Sequence, residues 1–250
     1  KGAALFVQDV DRYNICYRNG FFKIALHGGW FVNGYKKKDS SLKRDRSVSF
    51  LQFPLCDFPE RYWGTKVPAL ENVLRHPRAD DPFWRSDAPG SGAGFRNAML
   101  KSTMPILLKT AFYDIYTDGV CAMWRELPES RRANCSFVID ACDHAGRRLP
   151  EFVGTPADFP GGTRVEGRAD AVEWFDSIRR KTVCTNAPAG RTRYYALWEN
   201  KWKVDTELKD GSREVRMTIG KGEHSYSYDP LRSLPVFPGS GGICFGGMRV

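Results

Sequence analysis

The sequence predicts an α/β fold built on parallel strands, on three observations. Two short apolar runs, Pro105-Ile-Leu-Leu-Lys-Thr-Ala-Phe112 and Ser136-Phe-Val-Ile-Asp140, have the length and apolar content of buried strands. Between them Thr117-Asp118 offers a helix N-cap, followed by Val120, Cys121, Trp124 and Leu127 at helical spacing and a stop at Pro128. A strand, a crossover helix and a strand in that order make a right-handed unit, so the two strands are parallel neighbours with their carboxyl ends on one edge.

Composition sets the outer limits. A chain of 250 residues is long enough for one large or two small domains. Its hydrophobic fraction of 42%, with 16 Phe, 10 Tyr and 7 Trp, fits a globular protein and argues against disorder. No apolar run reaches the roughly 18 residues of a membrane helix, so no membrane partner is expected. No signal peptide is expected either: Lys1-Gly-Ala-Ala-Leu-Phe-Val-Gln has a short apolar stretch and leads into Asp9 and Asp11. The chain begins without Met, which leaves its true start and its compartment open.

The net charge of +9 invites a nucleic-acid reading, but the dense basic cluster, Lys36-Lys-Lys38 with Lys43, Arg44 and Arg46, lies in a Ser- and Asp-containing stretch of loop character. No zinc-finger, RNP or helix-turn-helix pattern accompanies it, and no nucleic-acid partner is expected. The 7 cysteines are odd in number and irregularly spaced, which argues against a disulfide framework. Cys142, Asp143 and His144 lack the partner pair that would complete a four-ligand metal shell, so no metal site is expected.

Along the chain, residues 1–88 mix helical patches with loops. Pro68-Ala-Leu-Glu-Asn-Val-Leu74 begins with Pro at a first helical position and spaces Leu70, Val73 and Leu74 on one face, predicting a short amphipathic helix that ends before Pro77. Aromatic pairs surround it, including Phe21-Phe22, Trp30-Phe31, Tyr62-Trp63 and Phe83-Trp84, and such density with few long helices suggests a lid or cap. Residues 89–185 hold the strand–helix–strand unit. After a Pro/Gly-rich loop over 150–162, Gly167 to Arg180 places Ala171, Trp174, Phe175 and Ile178 at helical spacing and closes this region. Residues 186–250 turn to β patterns at 193–198, 214–219 and 224–228, separated by the turns Lys209-Asp-Gly211 and Gly220-Lys-Gly222. So few strands would leave unpaired edges, and the chain is expected to be truncated at its C-terminus.

Tyr113-Asp114 ends the first strand, and Ala-Cys-Asp-His144-Ala-Gly146 follows the second. Open α/β sheets place ligands at such carboxyl ends. An acid and then a histidine is also the order of the last two members of an α/β-hydrolase triad, which runs nucleophile, acid, histidine. The histidine takes the nucleophile's proton and returns it to the leaving group, while the carboxylate fixes its tautomer and stabilises the imidazolium. No serine or cysteine sits in a Gly-x-Ser-x-Gly or Gly-x-Cys-x-Gly elbow; the nearest approach is Ser91 in Gly90-Ser-Gly-Ala-Gly94, with Pro89 two residues before it. Asp118 competes with Asp114 for the acid, but in Thr117-Asp-Gly119 it is expected to cap a helix. His27, His76 and His224 are read as structural, and the adjacent Asp80-Asp81 before Pro82 as a solvated loop.

Six segments in order carry a family resemblance: Leu70-Glu-Asn-Val-Leu-Arg-His-Pro77 with Asp81-Pro-Phe-Trp84, Met104-Pro-Ile-Leu-Leu with Phe112-Tyr-Asp114, Asp143-His-Ala-Gly146, Val172-Glu-Trp-Phe-Asp176, Tyr195-Ala-Leu-Trp-Glu-Asn-Lys-Trp202, and Tyr228-Asp-Pro230 with Pro235-Val236, Gly241-Gly242 and Cys244. Together they resemble the CocE/NonD family of serine hydrolases, which includes bacterial cocaine esterase and α-amino acid ester hydrolases and is related to Xaa-Pro dipeptidyl-peptidases. Two local differences stand beside the likeness. Asp140-Ala-Cys142 occupies the place of the family's usual Gly-Pro-Trp before the histidine, and Phe112 that of a Trp before Tyr-Asp.

The resemblance implies the C-terminal part of an α/β-hydrolase: a helical cap segment over 1–88, the last strands and helices of the sheet over 89–185, and the start of a β jelly roll over 186–250. It implies Asp114 as triad acid and His144 as general base and acid, with the nucleophile and oxyanion donors in a preceding half. The intact enzyme would cleave a small-molecule acyl ester or amide through an acyl-serine, without metal or organic cofactor, and this chain alone would be inactive. A non-catalytic binding or interaction module derived from the same fold is the alternative. A sheet lacking its earlier strands would expose an apolar edge beside Ile106-Leu-Leu108. Substrate identity and any homo-oligomer are left open.

Overall fold

The computed structural model describes residues 1–6, 11–28, 30–31, 34, 54–85, 92–144, 167–196, 199 and 201–205. The chain opens with β1 (Ala3–Phe6), α1 (Arg12–Cys16) and the hairpin β2 (Tyr17–Arg18) and β3 (Phe21–Phe22). Asn19 and Gly20, both at positive φ, make the two-residue turn between these strands, a backbone form that Asn and Gly tolerate best. Then come α2 (Phe58–Trp63), α3 (Pro68–Arg75), α4 (Pro82–Arg85) and α5 (Gly92–Lys101). The second half runs β4 (Ile106–Tyr113), α6 (Thr117–Glu126), α7 (Glu129–Arg132), β5 (Ser136–Asp143), α8 (Gly167–Arg180), β6 (Thr192–Ala196) and β7 (Lys201–Asp205).

Five strands form one sheet in the order β1-β4-β5-β6-β7, parallel through β6, with β7 antiparallel at the end. Alternation along the strands divides the core between two faces. Ile106, Leu108, Phe137 and Ile139 pack with Val120, Met123, Trp124 and Leu127 of the α6 segment. Leu107 and Val138 point the other way and pack with Ala171 and Trp174 of α8. A mostly parallel sheet needs such cover on both faces, which is why β4 and β5 are nearly continuous apolar runs.

The strand–helix–strand prediction matches β4, α6 and β5, and the helices expected at 68–74 and 167–180 are α3 and α8. Three expectations need correction. Residues 3–6 belong to the sheet, and β1 pairs with β4 from Ala3 opposite Ile106 to Phe6 opposite Lys109, so Ile106-Leu-Leu108 is covered and is not an open edge. Gly2 permits this docking, since a Cβ there would come within 3.0 Å of the Trp174 ring of α8. β6 joins β5, with Phe137 opposite Thr192, and β7 pairs with β6, so these two strands extend the central sheet beyond the boundary expected at 185/186. Asp118 is not a cap: Tyr116 holds that position without a side-chain bond, and Asp118 lies exposed in the first turn, 3.6 Å from Arg18. The patterns expected at 214–219 and 224–228, the basic cluster at 36–46, Ser91 and His224 lie outside the described residues.

In the helical first half, Tyr13 stacks on Tyr17 with ring centroids 5.2 Å apart, and Trp84 meets both rings edge-on. The Tyr17 hydroxyl donates to the Val73 carbonyl at 3.0 Å and the Trp84 indole to that of His76 at 2.8 Å, tying β2 and α4 to α3 and its C-cap. Phe58, Tyr62, Trp63, Val67 and Leu70 form a second cluster that shares Phe22 and Phe31 with the first.

Candidate active site

The relative phase of β4 and β5 decides what meets at their carboxyl ends. The strands pair residue for residue from Leu107 opposite Ser136 to Ala111 opposite Asp140, and then the register shifts to Tyr113 opposite Asp143. β5 therefore places Ala141, Cys142 and Asp143 against Phe112 and Tyr113, a β-bulge with one extra residue. A straight ladder would have set Asp114 opposite Asp143. The extra residue brings His144 there instead, because a one-residue slip turns every later side chain to the other face.

The two side chains meet: His144 Nδ1 and Asp114 Oδ2 are 2.5 Å apart. The Asp114 side chain is fully buried, while that of His144 is 29% exposed. The second carboxylate oxygen, Oδ1, accepts the Tyr116 N–H at 2.7 Å, and the Thr117 hydroxyl donates to the Asp114 carbonyl at 2.8 Å. Asp114 thus ties off the turn into α6 in an Asx-type role. The Tyr116 ring stands edge-on to the imidazole, with centroids 5.5 Å apart.

The hydrogen bond to Asp114 raises the His144 pKa above the usual 6.5; burial opposes this, and the charges of Asp114 and Asp143 add to it. With Nδ1–H donated to the carboxylate, Nε2 is left as the basic nitrogen. Such a pair can take up a proton at Nε2 and stabilise the imidazolium that results.

The other candidates sit in different surroundings. His27 is buried, with no partner for Nε2 among the described residues, and burial with the nearby Lys23 charge lowers its pKa to about 4. His76 stacks flat on Phe83 and lies 2.9 Å from Asp81, which also accepts the Phe83 N–H, while Asp80 pairs with Arg78. Cys142 and Asp143 are buried. Among the described residues no group of three or more His, Cys, Asp or Glu could hold a metal, and no helix is long and apolar enough to cross a membrane.

A polar group on the opposite face of the sheet escaped sequence reasoning. Lys109, one of the few polar residues of β4, is 4% exposed and sits 2.5 Å from Asp170 of α8 and 3.9 Å from Asp140 of β5. A lysine inside an otherwise apolar strand was the available signal, since lysine is almost never buried unpaired. Compared with protein-family models and with curated proteins, the chain matches none.

Proposed function

We propose that this chain supplies the acid and the histidine of a serine hydrolase of the CocE/NonD kind, related to Xaa-Pro dipeptidyl-peptidases. The observation that carries the reading is the hydrogen bond between buried Asp114 and partly exposed His144, at the carboxyl ends of neighbouring parallel strands and in the chain order acid then histidine. In this proposal His144 Nε2 takes the proton of a serine hydroxyl as the serine attacks the carbonyl carbon of a small acyl ester or amide. It then gives that proton to the departing alcohol or amine, and water repeats the cycle on the acyl-serine. Asp114 holds the imidazole by Nδ1–H and stabilises its charged form. The serine and the oxyanion donors belong to a further segment of an α/β-hydrolase sheet, the helices before α5 serve as its cap, and a jelly roll follows β7. The proposed chemistry uses no metal or organic cofactor.

The test is fluorophosphonate labelling of the 250-residue chain alone and joined to its upstream coding sequence. The chain alone is expected to stay unlabelled and the joined protein to label on one serine and hydrolyse acyl esters, with His144→Ala lowering kcat by several orders of magnitude. A folded joined protein that neither labels nor hydrolyses would sink the proposal in favour of a non-catalytic module.

A further inference from the structure

Beneath the bulge, on the face covered by α8, the Asp140 carboxylate is 1% exposed. Its Oδ1 accepts the N–H of Ala141 at 2.7 Å, and its Oδ2 lies 3.9 Å from Lys109 Nζ, which also holds Asp170 of α8 at 2.5 Å. Ala141 is wholly buried and belongs to the stretch where β5 carries its extra residue. A bulged backbone amide loses its partner in the ladder, and a buried amide needs another. Asp140 is placed to be that partner, and Lys109 offsets the charge this requires.

We infer that Asp140 is a positioning residue for His144: its carboxylate, anchored by Lys109, holds the Ala141 amide in the bulge that brings the imidazole round to Asp114. The inference rests on the proposed role of the Asp114–His144 pair, but the geometry can be tested without any activity.

The readout is the 15N spectrum of the His144 ring in the 250-residue chain, which reports the nitrogen that carries the proton, with the resonance assigned by its loss in His144→Gln. The parent chain is expected to show one tautomer locked on Nδ1–H. Asp140→Ala, shown to be folded by its thermal transition, should lose the lock, and Asp140→Asn, which keeps a side-chain oxygen for Ala141, should restore it. A folded Asp140→Ala with the lock intact would overturn the inference, and so would loss of the lock in both variants, since charge rather than the acceptor would then be responsible. If Asp140→Ala does not fold, Asp140→Leu with Lys109→Met and Asp170→Leu replaces the whole charge group by apolar residues, a change such sites often tolerate; loss of the lock in that folded variant supports the inference and an intact lock overturns it. Failure of serine labelling in the joined protein would remove the hydrolase proposal and leave this result standing.

Discussion

Asp114 faces His144, rather than Asp143, because β5 carries one residue more than β4 after Asp140. The relationship makes an unusual demand on insertions and deletions. An alanine inserted between Cys142 and Asp143 should return Asp143 to the place opposite Asp114 and turn His144 toward the face of Lys109. Deletion of Cys142 should straighten the ladder yet leave His144 opposite Asp114. The insertion is therefore expected to abolish the locked Nδ1–H tautomer and the deletion to keep it, both read by 15N shifts of the ring.

The pH dependence of stability separates the environments of His144 and His27. The His144 pKa is raised in the folded state, mainly by Asp114, so its contribution is fully present below 6.5 and is lost as pH rises through the raised value. Asp114→Asn should flatten that decline, as measured by denaturant unfolding across the pH range, and lower the titration midpoint of His144. In an active joined protein the same change should reduce kcat by roughly four orders of magnitude through loss of the correct tautomer.

For His27 the sign is reversed. Its pKa is lowered to about 4, so folding excludes a proton that the unfolded chain binds near 6.5, and stability should fall as pH drops from 6.5 to about 4. His27→Leu should remove this part of the acid slope, and an unchanged slope in equilibrium unfolding would show that His27 is not held neutral.

Core substitutions should rank by depth. Leu108 is fully buried between β1, β5 and the α6 layer, and Leu108→Ala should destabilise by about 2–5 kcal/mol. Val183→Ala, at a residue 82% exposed, should change stability by no more than about 0.5 kcal/mol.

What was legible in the sequence follows from how local each signal is. β4, α6 and β5 announce themselves by apolar runs, a crossover helix and Pro128, and the pair Asp114 and His144 follows from their strand ends. β1 is four residues of small and apolar type, and its partner lies beyond the entire helical segment, so nothing local marks it as a sheet strand. β6 carries a clear strand pattern, but a pattern says nothing of which sheet it joins, and the aromatic Tyr194-Tyr195 fits either. β5 runs to Asp143 through Asp140 because Lys109 offsets that charge from the neighbouring strand, a compensation invisible along one strand alone. The bulge is hidden for the same reason, since register is a property of two strands.

The pairing of β1 with β4 also bears on how the chain reaches its fold. Leu107 meets Ser136 after a short crossover, whereas Ala3 must find Ile106 across the whole helical segment. Closing the longer loop costs about 1 kcal/mol more in chain entropy, so the β4–α6–β5 unit is favoured as the nucleus and β1 docks late. Until it does, the N–H and C=O row of Ile106, Leu107 and Leu108 is open to strands of other chains, and refolding at high concentration should lose material to aggregation through that edge.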